Sequence, residues 1–132
     1  MQARELVFED WDELVSWWKS WGWECPPMQD FLPDNGVMIY NDNGENICAG
    51  FLYIIANAPV AWFTFPVSNP LIRKRERKDA INLLINTITE SAKALDIKYL
   101  YSSLRNQSMI DAQVGCGYSV AGTNHTELLK VL

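Results

Sequence analysis

The chain has 132 residues, 48% of them hydrophobic and 20% charged, which is the make-up of one globular domain able to bury a core without disulfides or metals. Sixteen Asp and Glu stand against 11 Lys and Arg, and the resulting pI near 4.7 argues against broad affinity for nucleic acid or membrane surfaces. Cys25, Cys48 and Cys116 are odd in number and form no closely spaced pair, so neither a disulfide framework nor a zinc site is signalled.

The N-terminal MQARELVFED lacks a basic-then-apolar leader pattern, and no run approaches the ~20 apolar residues of a membrane span. With the three cysteines read as buried free thiols, the expected setting is the reducing cytoplasm, with no membrane or metal partner. Residues 1–132 read as a single domain without repeat or linker.

In chain order, ARELVF (3–8) is short and β-capable. Asp10 offers a helix N-cap with Glu13 three residues on, as in a capping box. Trp11, Leu14, Val15, Trp18 and Trp21 follow at helical spacing, so 10–21 reads as an amphipathic helix. Trp17 and Trp23 fall off that face, and at least one of them is expected to be exposed. The segment GWECPPMQDFLPDNG, with three prolines and two glycines, reads as loop with at most a short helix.

VMIYN (37–41), ICAGFLYIIAN (47–57) and VAWFTFPV (60–67) read as an antiparallel meander turned at Asn43-Gly44 and Ala58-Pro59. Pro66 has no N–H to give a ladder, so pairing should fail near it. Ala80, Ile81, Leu84, Ile85, Ile88, Ala92 and Leu95 keep a helical period to residue 95, where Asp96 ends the helix. IKYLYSSL (97–104) is a strand, Asn106–Gly115 a short helix, and YSVAGTNHTELLKVL is expected to close the domain as one or two strands around Gly122. The order β-α-β-β-β-α-β-α-β is an α+β layer: a mixed, mostly antiparallel sheet with helices on both faces.

The charge is uneven. Residues 1–45 carry ten acids and two bases, whereas Arg73, Lys74, Arg75, Arg77 and Lys78 place five bases within six positions at the start of the long helix. Positive side chains there oppose the helix dipole, by about 0.3–1 kcal/mol each where exposed. An anion held by the unpaired amides of the helix start would reverse that penalty. Three readings stand: coenzyme phosphates, a solvated helix start, or nucleic acid, the last weakened because no aromatic residues interleave with the bases.

Two local patterns carry a resemblance to the GNAT N-acetyltransferase superfamily, and with the order of elements it spans essentially the whole chain. R-E-R-K-D-A-I-N-L-L is similar to that family's Arg/Gln-x-x-Gly-x-Gly/Ala loop and following Leu-Leu, with Arg75, Ala80 and Leu83-Leu84 in place. Asn106 is followed at the family spacing by Gly117-Tyr118, in place of Gly-Phe. The SNP…R-x-R…AI segment and the chain ending also resemble small acetyltransferase-like proteins of tailed bacteriophages.

The resemblance implies a GNAT-like acyltransferase fold that binds acetyl-CoA or another acyl-CoA and acylates an amine of an unspecified acceptor. It implies coenzyme contacts from Phe65, Val67, Arg73, Arg75, Arg77, Lys78, Asp79, Ala80 and Asn106. Tyr118 and Tyr101 are the weak candidates for a catalytic acid. Tyr101, Ser102 and Ser103 would lie along the pantetheine arm, and a homodimer is compatible with the pattern. His125, the only histidine, reads as structural.

The departures favour the alternative of a non-catalytic binding or inhibitory module. Lys78 stands where the loop glycine belongs. The stretch from Val67 to Arg75 is about three residues longer than the family's loop. Gln113 replaces the tyrosine seven residues after Asn106, and VAWFTFPV carries no carboxylate to serve as a base.

Overall fold

The computed structural model describes every residue except Glu24 and Pro27, so the part of the loop reading that falls on those two lies outside the described residues. In chain order come β1 (Gln2–Glu5), α1 (Trp11–Trp21), β2 (Gly36–Tyr40), β3 (Asn46–Ile54), β4 (Val60–Ser68), α2 (Lys74–Ala94), β5 (Tyr99–Ser102) and α3 (Gln107–Gly115). Short 3-10 turns occupy Phe8–Asp10 and Gln29–Phe31. The sheet runs β1-β2-β3-β4-β5 in space; every neighbouring pair is antiparallel except β4 with β5, which is parallel. A parallel pair needs a long crossover, and α2 supplies it.

Strand alternation sends successive side chains to opposite helices. Ile39, Cys48, Leu52 and Phe63 pack with Ala80, Leu84, Ile85, Ile88 and Ala92 of α2. Met38, Ala49, Phe51 and Val67 pack with Leu14, Trp17 and Trp18 of α1. Each fully buried large apolar side chain contributes about 1.5–3 kcal/mol relative to exposure. The sheet is thus covered by a helix on each face, as the sequence pattern predicts. Among the described residues no helix is long and apolar enough to cross a membrane.

Helix ends are set by identifiable residues. Gly22 closes α1 at φ 70°. Asp96, at φ 61°, turns the chain out of α2, and the Ile97 N–H reaches back 3.0 Å to the Ala92 carbonyl. Asn106 caps α3 by accepting from the Met109 N–H at 3.0 Å.

Four expectations are corrected. Asp10 does not cap α1: it is itself helical, at φ −73° and ψ −16°, and its carboxylate turns back to the Val7 N–H and to Arg4, a charged partner that outcompetes a neutral cap. Trp17 is buried and Trp23 half-buried, because the segment after α1, through Cys25 and Leu32, covers the side of the helix that the sheet leaves open. Of the three free cysteines only Cys48 is fully buried.

Residues 118–132 form no helix or strand. Val120, Leu128, Leu129 and Val131 are exposed, so the alternating pattern there has no apolar face to cover, and strand propensity without such a face does not hold a ladder together. The closing strand or strands expected around Gly122 are therefore not formed.

Pairing does fail at Pro66. Ala49 faces Val67 and Phe51 faces Thr64, which leaves Gly50 opposite both Phe65 and Pro66. This is a β-bulge, and Phe65 within it takes φ 49°, an uncommon conformation for a large side chain.

Candidate functional site

The bulge sits where two neighbouring strands part. β4 and β5 are paired only from Val60–Phe63 to Tyr99–Ser102; β4 then runs on through the bulge to Ser68, while β5 has ended. A cavity of about 1000 Å³ opens at this point. Thr64, Phe65 and Pro66 form its β4 wall, Ser103–Asn106 and Met109 the opposite side, and His125–Leu128 of the irregular tail close part of it. The Ser103 hydroxyl donates to the Glu127 carboxylate at 2.8 Å and ties the tail to the end of β5.

Much of the remaining wall is aromatic. Trp18, Phe31, Tyr53, Trp62 and Tyr101 all line the cavity. Sequence reading passed over Phe31, Tyr53 and Trp62 as site residues. One signal was available for two of them: alternation places Tyr53 and Trp62 on the same face of adjacent strands, and the register pairs them directly. Burial pushes the Tyr53 hydroxyl pKa up, and that hydroxyl donates to the Phe31 carbonyl.

The basic run lies beyond the cavity along the same stretch of chain. The helix starts at Lys74, with Arg73 as its N-cap. Its first intrahelical bond is from the Arg77 N–H to the Arg73 carbonyl at 3.0 Å. The amides without an intrahelical acceptor are therefore those of Lys74, Arg75 and Glu76. Lys78, Asp79 and Ala80 fall in the following turn, where a helix engages the backbone N–H groups.

The side chains of the run divide into two groups. Arg73, Lys74, Arg75 and Lys78 are exposed, and among the described residues none forms a salt bridge. Arg77 is turned inward: its guanidinium lies 5.2 Å from the Trp21 ring centroid and donates to the Ile72 carbonyl. Glu76 accepts from the Asn41 amide at 3.0 Å. Asp79 is exposed, and Ala80 is completely buried against the sheet, where only a small side chain fits between α2 and its neighbours.

Asn106 lies at the cavity with its side chain already engaged as the α3 cap. Val67 is fully buried under α1. The two tyrosine candidates separate. Tyr101 lines the cavity, with its ring 4.7 Å from that of Trp62. Tyr118 packs into the α2-side core, where burial and then the neighbouring Cys116 push its hydroxyl pKa up to about 12. His125, read as structural, is an exposed residue of the tail at the cavity.

Gln113 lies one turn beyond Met109 on the same face of α3 and is 3% exposed. Among the described residues its side-chain nitrogen has no hydrogen-bond partner, and neither do the Tyr118 hydroxyl and the Ser102 hydroxyl. Three polar atoms thus lie buried and unpaired around β5, α3 and the residues just after α3, a costly arrangement in a protein interior.

No protein-family model matches the chain, and no curated protein matches it by sequence. Solved structures match by shape. A GCN5-related N-acetyltransferase from Kribbella flavida superposes with TM-score 0.74 at 14% identity, over 93% of this chain and 84% of that one. A protein from Thermus thermophilus superposes with TM-score 0.70 at 13% identity, over 100% of this chain and 98% of that one. N-acetylglutamate synthase from Neisseria gonorrhoeae, in complex with coenzyme A and N-acetyl-glutamate, superposes with TM-score 0.65 at 14% identity, over 86% of this chain but 27% of that one.

Proposed function

From a chain that folds as the GCN5-related N-acetyltransferases do, we propose that the protein binds an acyl-coenzyme A in the wedge between β4 and β5 and transfers the acyl group to an amine. The observation that carries this reading is the parting of those strands at the Phe65–Pro66 bulge, with a helix start rich in exposed bases following on the same stretch of chain. A similarly folded synthase holds coenzyme A.

The residues fit such a ligand in three parts. The free amides of Lys74, Arg75 and Glu76 and the exposed Arg73, Lys74, Arg75 and Lys78 receive its phosphates. Ala80 lets α2 approach the sheet closely, and Arg77 and Asp79 flank the phosphate site. At the wedge, Pro66 has no N–H, so the backbone donor aimed at the thioester carbonyl comes from Phe65 or Val67. Phe65 is favoured because a bulge leaves its extra residue without a ladder partner. Asn106, Tyr101 and Ser103 border the arm of the ligand.

The amine then attacks the carbonyl directly. Water carries off its proton, because β4 offers no carboxylate, and Tyr101, which lines the cavity at the end of β5, is the tyrosine proposed to face the departing sulfur. A second reading, a binding module without turnover, is favoured by Gln113, which cannot act as the acid.

Calorimetric titration with acetyl-CoA, paired with thermal unfolding, tests both. Saturation to about 100 times Kd should stabilise the fold by about 2.7 kcal/mol. Absence of heat and of any melting shift at millimolar coenzyme rejects the proposal. Binding without acetyl transfer to any of a broad set of amines leaves the second reading.

A further inference from the structure

We infer that the acceptor is an arylalkylamine, a primary amine carried on an aromatic ring by a short chain; the inference rests on the acyl-transfer reading above and names its substrate class. The warrant is a row of rings lining one side of the cavity. Trp18 meets Phe65 at 6.2 Å, Phe65 meets Phe31 at 5.8 Å, and Phe31 meets Tyr53 at 6.4 Å, each nearly edge to face. Tyr53 stands opposite Trp62 in the register, and Trp62 meets Tyr101 at 4.7 Å. The rings therefore form two contacting groups, Trp18–Phe65–Phe31–Tyr53 and Trp62–Tyr101, set side by side by the pairing of Tyr53 with Trp62 on the sheet face that α1 leaves uncovered.

Packing explains only one end of the row. Trp18 is 1% exposed and belongs to the core, but Trp62 is 36% and Tyr101 44% exposed although both line a cavity. Two adjoining aromatic side chains left open inside a concavity have unused ring surface facing the space. An aromatic substrate gains edge-to-face contact there, and the ring faces attract an ammonium group. Among the described residues, the charged side chains at the cavity are Arg105 and Glu127, and Glu127, held in place by Ser103, offers a carboxylate to an ammonium group.

The bulge at Phe65 is part of the wall, so a ring bound along it carries its amine toward the carbonyl that the β4 backbone addresses. Once deprotonated, the nitrogen forms a bond to the acyl carbon and the carbon–sulfur bond breaks. The second nitrogen proton reaches the departing sulfur through water, giving the amide and free coenzyme.

The test compares two eight-carbon primary amines, 2-phenylethylamine and n-octylamine, with spermidine as a third ligand, by calorimetry on the full chain with and without saturating coenzyme A. The expected result is at least tenfold tighter binding of 2-phenylethylamine than of either of the others. That preference should fall to less than threefold in Trp62→Leu and in Phe31→Leu, with coenzyme affinity and the circular-dichroism spectrum retained. Equal or tighter binding of octylamine or spermidine overturns the inference, as does a preference that survives both substitutions. Failure of coenzyme A itself to bind strikes the acyl-transfer reading instead, while the coenzyme-free titrations still decide whether the cavity selects aromatic amines.

Discussion

The guanidinium of Arg4 and the carboxylate of Asp10 are joined by two parallel hydrogen bonds of 2.8 Å each. The pair clamps β1 to the turn that leads into α1. The fork to Arg4 holds the Asp10 carboxyl below the usual carboxylate range, against the opposing effect of burial and with help from the Val7 N–H. A carboxyl whose folded pKa is depressed contributes stability above its unfolded value near 3.9, and that contribution is lost as pH falls through the folded value. Asp10→Ala should cost about 1–3 kcal/mol at pH 7, the size of a charged hydrogen bond. The difference from wild type should shrink in acid, below about pH 4. Urea unfolding at pH 7 and pH 3 checks both; a variant as stable as wild type at pH 7 would show that the fork is surface decoration.

Arg75 and Arg77 are two residues apart and should behave oppositely. Arg75→Ala, at an exposed side chain, should leave unfolding unchanged and weaken coenzyme A binding by about 1.5–3 kcal/mol. Arg77→Ala removes a group packed on Trp21 and bonded to Ile72, so it should lower stability by about 1–2 kcal/mol. Melting curves and titrations on both variants separate the roles, and a destabilised Arg75→Ala would contradict the assignment.

The unpaired nitrogen of Gln113 should make an apolar replacement stabilising. Gln113→Met keeps the length and removes the orphaned amide, with an expected gain of about 1–2 kcal/mol in the ligand-free protein. Gln113→Tyr places a larger ring in a site only 3% exposed and should cost about 1–3 kcal/mol by overpacking, whatever it does for proton donation. Denaturant midpoints decide; a loss of stability in Gln113→Met would mean that the amide does find a partner.

Gly50→Ala probes the strand opposite the bulge. A methyl group there would lie 2.5 Å from the Phe63 ring edge and 3.4 Å from Leu84. Phe63 is fully buried and has no room to swing away. A cost of about 1–3 kcal/mol is expected from equilibrium unfolding, and a neutral result would show the bulge to be more yielding than it looks.

Most of the fold is legible in the residues themselves. Alternation around Met38 and Ile39 and the helical period from Ala80 to Ala92 state which side chains meet, and Pro66 announces the break in β4. Contacts between distant segments are less legible. Asp10 reads as a helix cap until Arg4 is known to stand beside it. Trp17 and Trp23 read as a pair with at least one member exposed until Trp23, Cys25 and Leu32 are seen to pack against the cluster that holds Trp17. The tail reads as strand because propensity is local, whereas pairing depends on what lies alongside. At the candidate site the basic run is visible as composition, but which of its members point outward depends on the phase of α2, which turns Arg77 onto Trp21 and leaves Arg73, Lys74, Arg75 and Lys78 exposed.

One extra residue at Phe65 also changes the phase of β4. Ala61 and Phe63 point toward α2, yet Phe65 and Val67 point toward α1, so odd-numbered positions change sides at the bulge. A deletion of Pro66 that flattened the strand would leave Val67 opposite Ala49 and Ser68 opposite Cys48, and would turn Phe65, now alone opposite Gly50, from the α1 side to the α2 side. The bulge thus works like a leap day: it absorbs one extra residue locally, so its removal would be felt in the cavity wall where Phe65 stands and not at the start of α2.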